Sequence, residues 1–356
     1  MIPDRPPIRP PARPTRRSLL AAALAPWLTA APNRTLAAGA TAAPNPALAA
    51  GTTAAPNRVL AGGATAAQVW VTLQEEGAVE RIDVAAGRVL ERVAVGSKPV
   101  GAALTPDGSC LYVGRPEAGE VVAIETATGL PSRRIATGGT PFGLLLSGDG
   151  GALHVTDWSG NAVRRYRCAD GAPTGAVAVG RAPAFMAFDR ARGRIFVAAR
   201  EADRIDVIDG AGMVLLASLA VGKAPFAITF DDRSDRLYVA EVQAGSVSVI
   251  DAGRLERTAV LPVGPLPYGI ALLPDPDRIA VVSQRGGAID LVPVTATAAP
   301  AARIRIGRYP EGIAATAAGL VAANWFDDCL SVVDPASGRE IARIATGRGP
   351  RVVIPI

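Results

Sequence analysis

Residues 222–263 read GKAPFAITFDDRSDRLYVAEVQAGSVSVIDAGRLERTAVLPV. Gly222 and Pro225 open the stretch. An apolar run, Phe226–Phe230, is followed by the polar turn Asp231-Asp232-Arg233-Ser234-Asp235. A second run, Leu237-Tyr238-Val239, and a third, Val247–Asp251, lead to a fourth ahead of Gly264. Runs of about five residues, rich in Val, Ile and aromatics and parted by Gly and Asp turns, describe four strands of one antiparallel sheet.

Working outward, the opening landmark recurs along the chain. Gly96, Gly138, Gly180, Gly222, Gly264, Gly307 and Gly347 each precede a proline by three residues: Pro99, Pro141, Pro183, Pro225, Pro267, Pro310 and Pro350. The spacings are 42, 42, 42, 42, 43 and 40 residues, a repeat of one supersecondary unit. Six complete units lie between the landmarks. Residues 69–95 supply three more strands, Val69–Leu73, Val79–Asp83 and Val89–Val95, and Arg351–Ile356 supplies the one they lack. The fold expected is all-β: a seven-bladed β-propeller of four-stranded antiparallel blades, its ring closed by pairing of N- and C-terminal strands. Such closure leaves no open edge on the large ring.

The rest of the chain is organised around this body. Of 37 basic and 32 acidic residues, seven Arg and one acid, Asp4, fall in residues 1–66; 67–356 hold 30 basic and 31 acidic, a net of −1. The overall charge of +5 therefore belongs to the leader and does not argue for nucleic-acid binding. Residues 1–31 combine an Arg-rich start with a short apolar stretch of about 14 residues, below the roughly 20 that span a bilayer. Thr15-Arg16-Arg17-Ser18-Leu19-Leu20 resembles a twin-arginine export signal. Residues 32–66 carry a 12-residue unit, seen as AAPNRTLAAGAT, AAPNPALAAGTT and AAPNRVLAGGAT from Ala30 to Thr65, too poor in bulk to form a core and read as a linker. The chain is expected to be periplasmic or secreted, with no membrane span.

Within 69–356 the unit resembles the YVTN family of β-propeller repeats. Leu111-Tyr112-Val113-Gly114 and Leu237-Tyr238-Val239-Ala240 carry the signature, and Ile205–Asp209 and Val247–Asp251 match its Val-Ile-Asp strand. No copy keeps the Tyr-Val-Thr-Asn string whole; Asn324 alone retains the Asn. The resemblance implies a fold more than an activity, since related propellers serve as surface proteins, amine dehydrogenase heavy chains, quinoprotein accessories and single-stranded-DNA binders.

Chemistry-bearing residues are few. His154 is the one histidine and occupies the slot held by Trp70, Tyr112, Phe196 and Tyr238, which points to packing between blades. Cys110, Cys168 and Cys329 form no metal-binding or haem motif; a disulfide between Cys110 and Cys168 is open, with free thiols the simpler reading. The acids at Asp107, Asp149, Asp231-Asp232 and Asp275-Pro276-Asp277 lack calcium-loop spacing and read as turn formers, as do Asp83, Asp209, Asp251 and Asp334. No metal, no cofactor and no catalytic residue are expected.

Binding residues belong where the repeats differ, on the face built by the Gly-x-x-Pro loops and the loops after the second strands. The first loops offer Lys98, Phe142, Arg181, Phe185, Lys223, Phe226, Tyr268, Arg308, Tyr309, Glu311, Arg348 and Arg351. The second offer Arg115, Asp157, Trp158, Arg200, Glu241, Gln284, Arg285, Asn324, Trp325, Phe326 and Asp327. The selected rim candidates are Arg115, Asp157, Trp158, Arg200, Glu241, Arg285, Asn324, Tyr309, Trp325, Arg348 and Arg351. Arg and aromatics are the residues of binding hot spots. The Phe and Tyr after the prolines have a second reading, as plugs of the inner-strand core. The function expected is an exported, non-catalytic propeller that holds a protein partner or small ligand at its channel rim, accessory to a periplasmic redox or quinoprotein system. The alternatives are a propeller subunit of a periplasmic dehydrogenase and, with less support, a single-stranded nucleic-acid binder.

Overall fold

Each Gly-x-x-Pro landmark leads into an inner strand, and in six of the seven blades the proline is its first residue, because proline cannot donate to a ladder and so starts strands rather than sitting within them. The computed structural model describes residues 67–274, 277–294, 300 and 302–356. The expected export signal, the expected linker to residue 66, and Asp275 and Pro276 of one expected turn lie outside them. In blade 4 the inner strand is Pro225–Asp231, the second Arg236–Glu241, the third Ser246–Asp251 and the outer Glu256–Pro262. Blades 1 to 6, numbered from the landmarks at Gly96 to Gly307, each form such a four-stranded antiparallel sheet.

The seventh blade is composite. Pro350–Pro355 lies innermost and pairs with Gln68–Leu73, followed by Ala78–Asp83 and Arg88–Ala94. Val71 stands opposite Val353 and Trp70 opposite Ile354, and the Val352 N–H donates to Thr72 Oγ1 at 3.1 Å. Six of the seven outer strands break register with a bulge, which blunts an edge that would otherwise template pairing with another chain.

The core lies between blades. Leu237, Val239 and Ile250 of blade 4 pack on Phe196, Ala198 and Ile205 of blade 3; Trp70 and Val79 of blade 7 pack on Leu111, Val113 and Val122 of blade 1. The shared aromatic slot works across these seams. Trp70, Tyr112, Phe196 and Tyr238 are almost wholly buried, and so is His154, whose Nε2–H donates to the Gly210 carbonyl of the next blade at 3.1 Å. Burial pulls the His154 pKa below its ordinary 6.5, so the ring stays neutral. Cys110, Cys168 and Cys329 carry free thiols.

The acids in the turns act through the backbone. Asp107 accepts from the Ser109 N–H at 3.0 Å and from the Thr105 hydroxyl at 2.6 Å, which holds its carboxyl down to about 2. Asp83, Asp209, Asp251 and Asp334 likewise accept from N–H groups two or three residues ahead. Among the described residues no cluster of three or more His, Cys, Asp or Glu could hold a metal ion, and no helix is long and apolar enough to cross a membrane.

Candidate functional site at the channel mouth

Two loops of every blade meet on one face because the backbone stitches them together. In six blades the residue after the second strand donates its N–H to the carbonyl of the residue before the landmark proline; in blade 1 that residue is Pro116, and the Val100 N–H donates to the Gly114 carbonyl at 3.0 Å instead. The pairs include Trp158 to Thr140 at 2.9 Å, Arg200 to Ala182 at 3.1 Å, Gln284 to Leu266 at 2.9 Å, Trp325 to Tyr309 at 3.1 Å and Gln74 to Gly349 at 2.9 Å. The residues after the prolines then form an inner ring: Val100, Phe142, Ala184, Phe226, Tyr268, Glu311 and Arg351. Behind them stands a second ring of Pro116, Trp158, Arg200, Val242, Gln284, Trp325 and Gln74.

Glycine brings the inner strands this close. A Cβ on Gly101, Gly143, Gly269 or Gly312, two residues after the proline, would lie 2.0–2.5 Å from a backbone carbonyl oxygen of the next inner strand. Blade 3 has Phe185 at this position instead, and its ring enters the mouth. Phe142, Phe185 and Phe226 meet edge to face, with centroids 5.2–5.8 Å apart; Phe226 continues to Tyr268 and Phe142 to Trp158, both at 4.6 Å. The plug reading therefore describes Phe142 and Phe226, and it extends to Trp158, expected as an exposed contact but buried on Phe142.

The other side of the mouth is polar. Arg351 Nε pairs with Glu311 Oε2 at 2.8 Å, Gln284 Nε2 donates to Glu311 Oε1 at 3.0 Å, and Arg351 Nη1 donates to Gln74 Oε1 at 3.0 Å. Burial pushes the Glu311 carboxyl up despite the attraction of Arg351. The Arg351 guanidinium also lies over Phe142 at 5.5 Å and Trp325 at 5.9 Å, and Arg200 lies over Trp158 at 5.8 Å. Gln284 Oε1 and Arg200 Nε are buried without a hydrogen-bond partner. Behind this plug runs a cavity of about 550 Å³, walled by Leu104, Leu144, Met186, Ile228, Ile270 and Ile313, with Phe185, Phe226, Tyr268, Glu311 and Arg351 at its mouth end.

Arg115, Asp157, Glu241 and Asn324 are corrected from rim contacts to scaffold. All four end second strands, beneath the landmark loop. Asp157 accepts from the Thr140 N–H at 2.9 Å and Glu241 from the Gly222 N–H at 2.6 Å; Asn324 donates to Ser331 Oγ at 2.8 Å, and Arg115 pairs with Glu120. A Cβ on Gly222 would fall 2.3 Å from Glu241 Oε2, and one on Gly307 2.5 Å from Asn324 Cγ. In these two blades the landmark glycine is thus required by the side chain beneath it. Buried acids on third strands, Asp206, Asp290 and Glu80, capture the Gly180, Gly264 and Gly347 N–H groups in the same way.

Arg285 and Arg348 are exposed on the outer rim. Tyr309 stands with Trp325 and Phe326 in a half-buried aromatic group, centroids 4.9–6.2 Å apart, beside the exposed Arg308. Its φ is 58°, the left-handed backbone that Lys98, Ala182, Ala224 and Leu266 also adopt just before their landmark prolines. Gln74 and Glu75, which reach Arg351 and Trp325, were missed as candidates. The signal was available: Gln74 follows a second strand just as Trp158 does.

No protein-family model and no curated protein matches the sequence. Solved structures do resemble the fold. Hydrazine synthase of Kuenenia stuttgartiensis superposes with a TM-score of 0.67 at 18% identity, covering 76% of this chain and 92% of that one. A functionally unknown protein from Desulfotomaculum acetoxidans gives 0.69 at 16% identity, covering 81% and 98%. Virginiamycin B lyase from Staphylococcus aureus gives 0.62 at 15%, covering 72% and 88%. The dihydro-haem d1 dehydrogenase NirN gives 0.61 at 15%, covering 82% and 66%. At these identities the likeness is one of fold: the chain is a seven-bladed β-propeller.

Proposed function

We propose that this chain is an exported, non-catalytic propeller of the YVTN-repeat type that holds a periplasmic protein partner on its Gly-x-x-Pro face, along the arc of blades 5 to 7. The observation that carries the reading is the half-buried aromatic group of Tyr309, Trp325 and Phe326. The left-handed backbone of Tyr309 is shared by Lys98, Ala182, Ala224, Leu266 and Gly349 at the same loop position, so what distinguishes this loop is the ring it carries. Around it the arc offers aromatic faces at Trp325 and Phe326 and exposed cations at Arg285, Arg308 and Arg348, the composition of a protein-binding hot spot. The twin-arginine-like leader supports export.

The test uses Tyr309→Gly, which removes the ring and relieves the backbone. Native chain is purified from the periplasm of its host, and the visible spectrum and intact masses of everything that accompanies it are recorded. The expectation is a stoichiometric partner without a redox group, whose affinity for Tyr309→Gly falls at least about tenfold while thermal stability is kept. Unchanged binding by the variant would remove the arc from the interface. A visible chromophore or a redox subunit would instead make the chain part of a periplasmic dehydrogenase.

A further inference from the structure

Two of the three cysteines stand on opposite sides of one seam. Cys110 begins the second strand of blade 1; Cys168 directly follows the third strand of blade 2, Ala162–Arg167. Both pack against the apolar cluster between those blades, and the Tyr112 hydroxyl donates to the Cys168 carbonyl at 3.4 Å. The repeat gives an independent sign that the two positions face the same seam. Two repeats further on, 84 residues along, the same positions hold Arg194 and Ala252. There Arg194 Nη2 donates to the Ala252 carbonyl at 2.7 Å. The two positions face one another across a seam because the fold repeats, and in the first seam both are cysteine.

We propose that Cys110 and Cys168 are oxidised to an interblade disulfide that fastens blade 1 to blade 2. Two thiols lose two protons and two electrons, and one S–S bond forms. The electrons pass to a disulfide-bearing oxidant, either glutathione disulfide or the disulfide of a thiol oxidase, which leaves as two thiols. Burial pushes both thiols above their ordinary range, so thiolate is scarce at neutral pH and the reaction is slow without a catalyst. Cys329 lies buried in blade 6, where Asn324 Nδ2 approaches its sulfur at 3.5 Å, and it has no part in the bridge.

The purified full-length chain is incubated with glutathione disulfide, alkylated, denatured and alkylated again, with mass analysis before and after reduction. The expected product is two hydrogens lighter, carries one alkylated cysteine at Cys329, and yields a peptide pair joined through Cys110 and Cys168 that separates on reduction. Cys329→Ser should form the same bridge with no thiol left, and Cys110→Ser should form none. Three alkylated cysteines after prolonged incubation would overturn the proposal. So would glutathione adducts at Cys110 or Cys168 without a bridge, or a bridge that includes Cys329.

Discussion

At the residue scale, one position in five of the seven repeats does the same mechanical work with different chemistry. The slot filled by Trp70, Tyr112, Phe196 and Tyr238 accepts His154 because an imidazole is flat, can be neutral, and can donate one N–H to the Gly210 carbonyl. That role was legible in the sequence, since only a shared slot was needed to see it. The roles of Asp157, Glu241 and Asn324 were not legible. Polar residues beside a loop resemble surface residues until the backbone amide they serve, one landmark away, is known. The buried His154 has a testable consequence. Its pKa is lowered in the folded state, so the unfolded chain binds the proton more readily. Stability should be full above pH 6.5 and fall as pH drops below it, by up to about 1.4 kcal/mol per pH unit. Urea midpoints between pH 8 and 5 should show this fall in the native chain, and the His154→Phe variant should lack that component. Parallel curves for the two would sink the account. Glu311 has the opposite sign: its raised pKa means stability is lost as pH rises above its ordinary 4.5. The gap in urea midpoint between native chain and Glu311→Gln should therefore shift in favour of the variant from pH 4 to 7, and a constant gap would show that Arg351 offsets the burial.

At the scale of elements, the Gly-x-x-Pro landmark announced each inner strand, and the count of strands at the two ends announced the composite blade. What remained hidden was why glycine stands where it does two residues after the proline. The reason is the distance of Gly101, Gly143, Gly269 and Gly312 from the neighbouring strand, a tertiary fact with no trace in the local pattern. The strand Pro350–Pro355 covers Val71 and Trp70 and brings Arg351 to the mouth. Deleting 351–356 should uncover the apolar edge of blade 7 and leave Glu311 without its guanidinium. The expected result is loss of the cooperative melting transition, read by circular dichroism; a truncated chain melting as the native one does would refute the closure argument.

At the scale of the whole molecule, cores lie in seams and no blade owns one. A blade cannot then unfold alone without exposing its neighbours. Leu237→Ala in the seam of blades 3 and 4, and Leu330→Ala in the seam of blades 6 and 7, should each remove about 3 kcal/mol. Calorimetry should show one transition moved down in both, with no early shoulder from a detached blade. The composite blade also sets a clock. Thr72 waits for Val352 across 280 residues of chain. At roughly 5–20 residues per second, synthesis keeps the strands of residues 68–94 unpartnered on one side for about 15 to 55 seconds. Throughout that interval Trp70 has no cover from Ile354, and Gln74 has no Arg351 to receive. Blade 7 and the channel mouth are therefore finished by the same late event, so every chain able to bind is one whose ring has already shut.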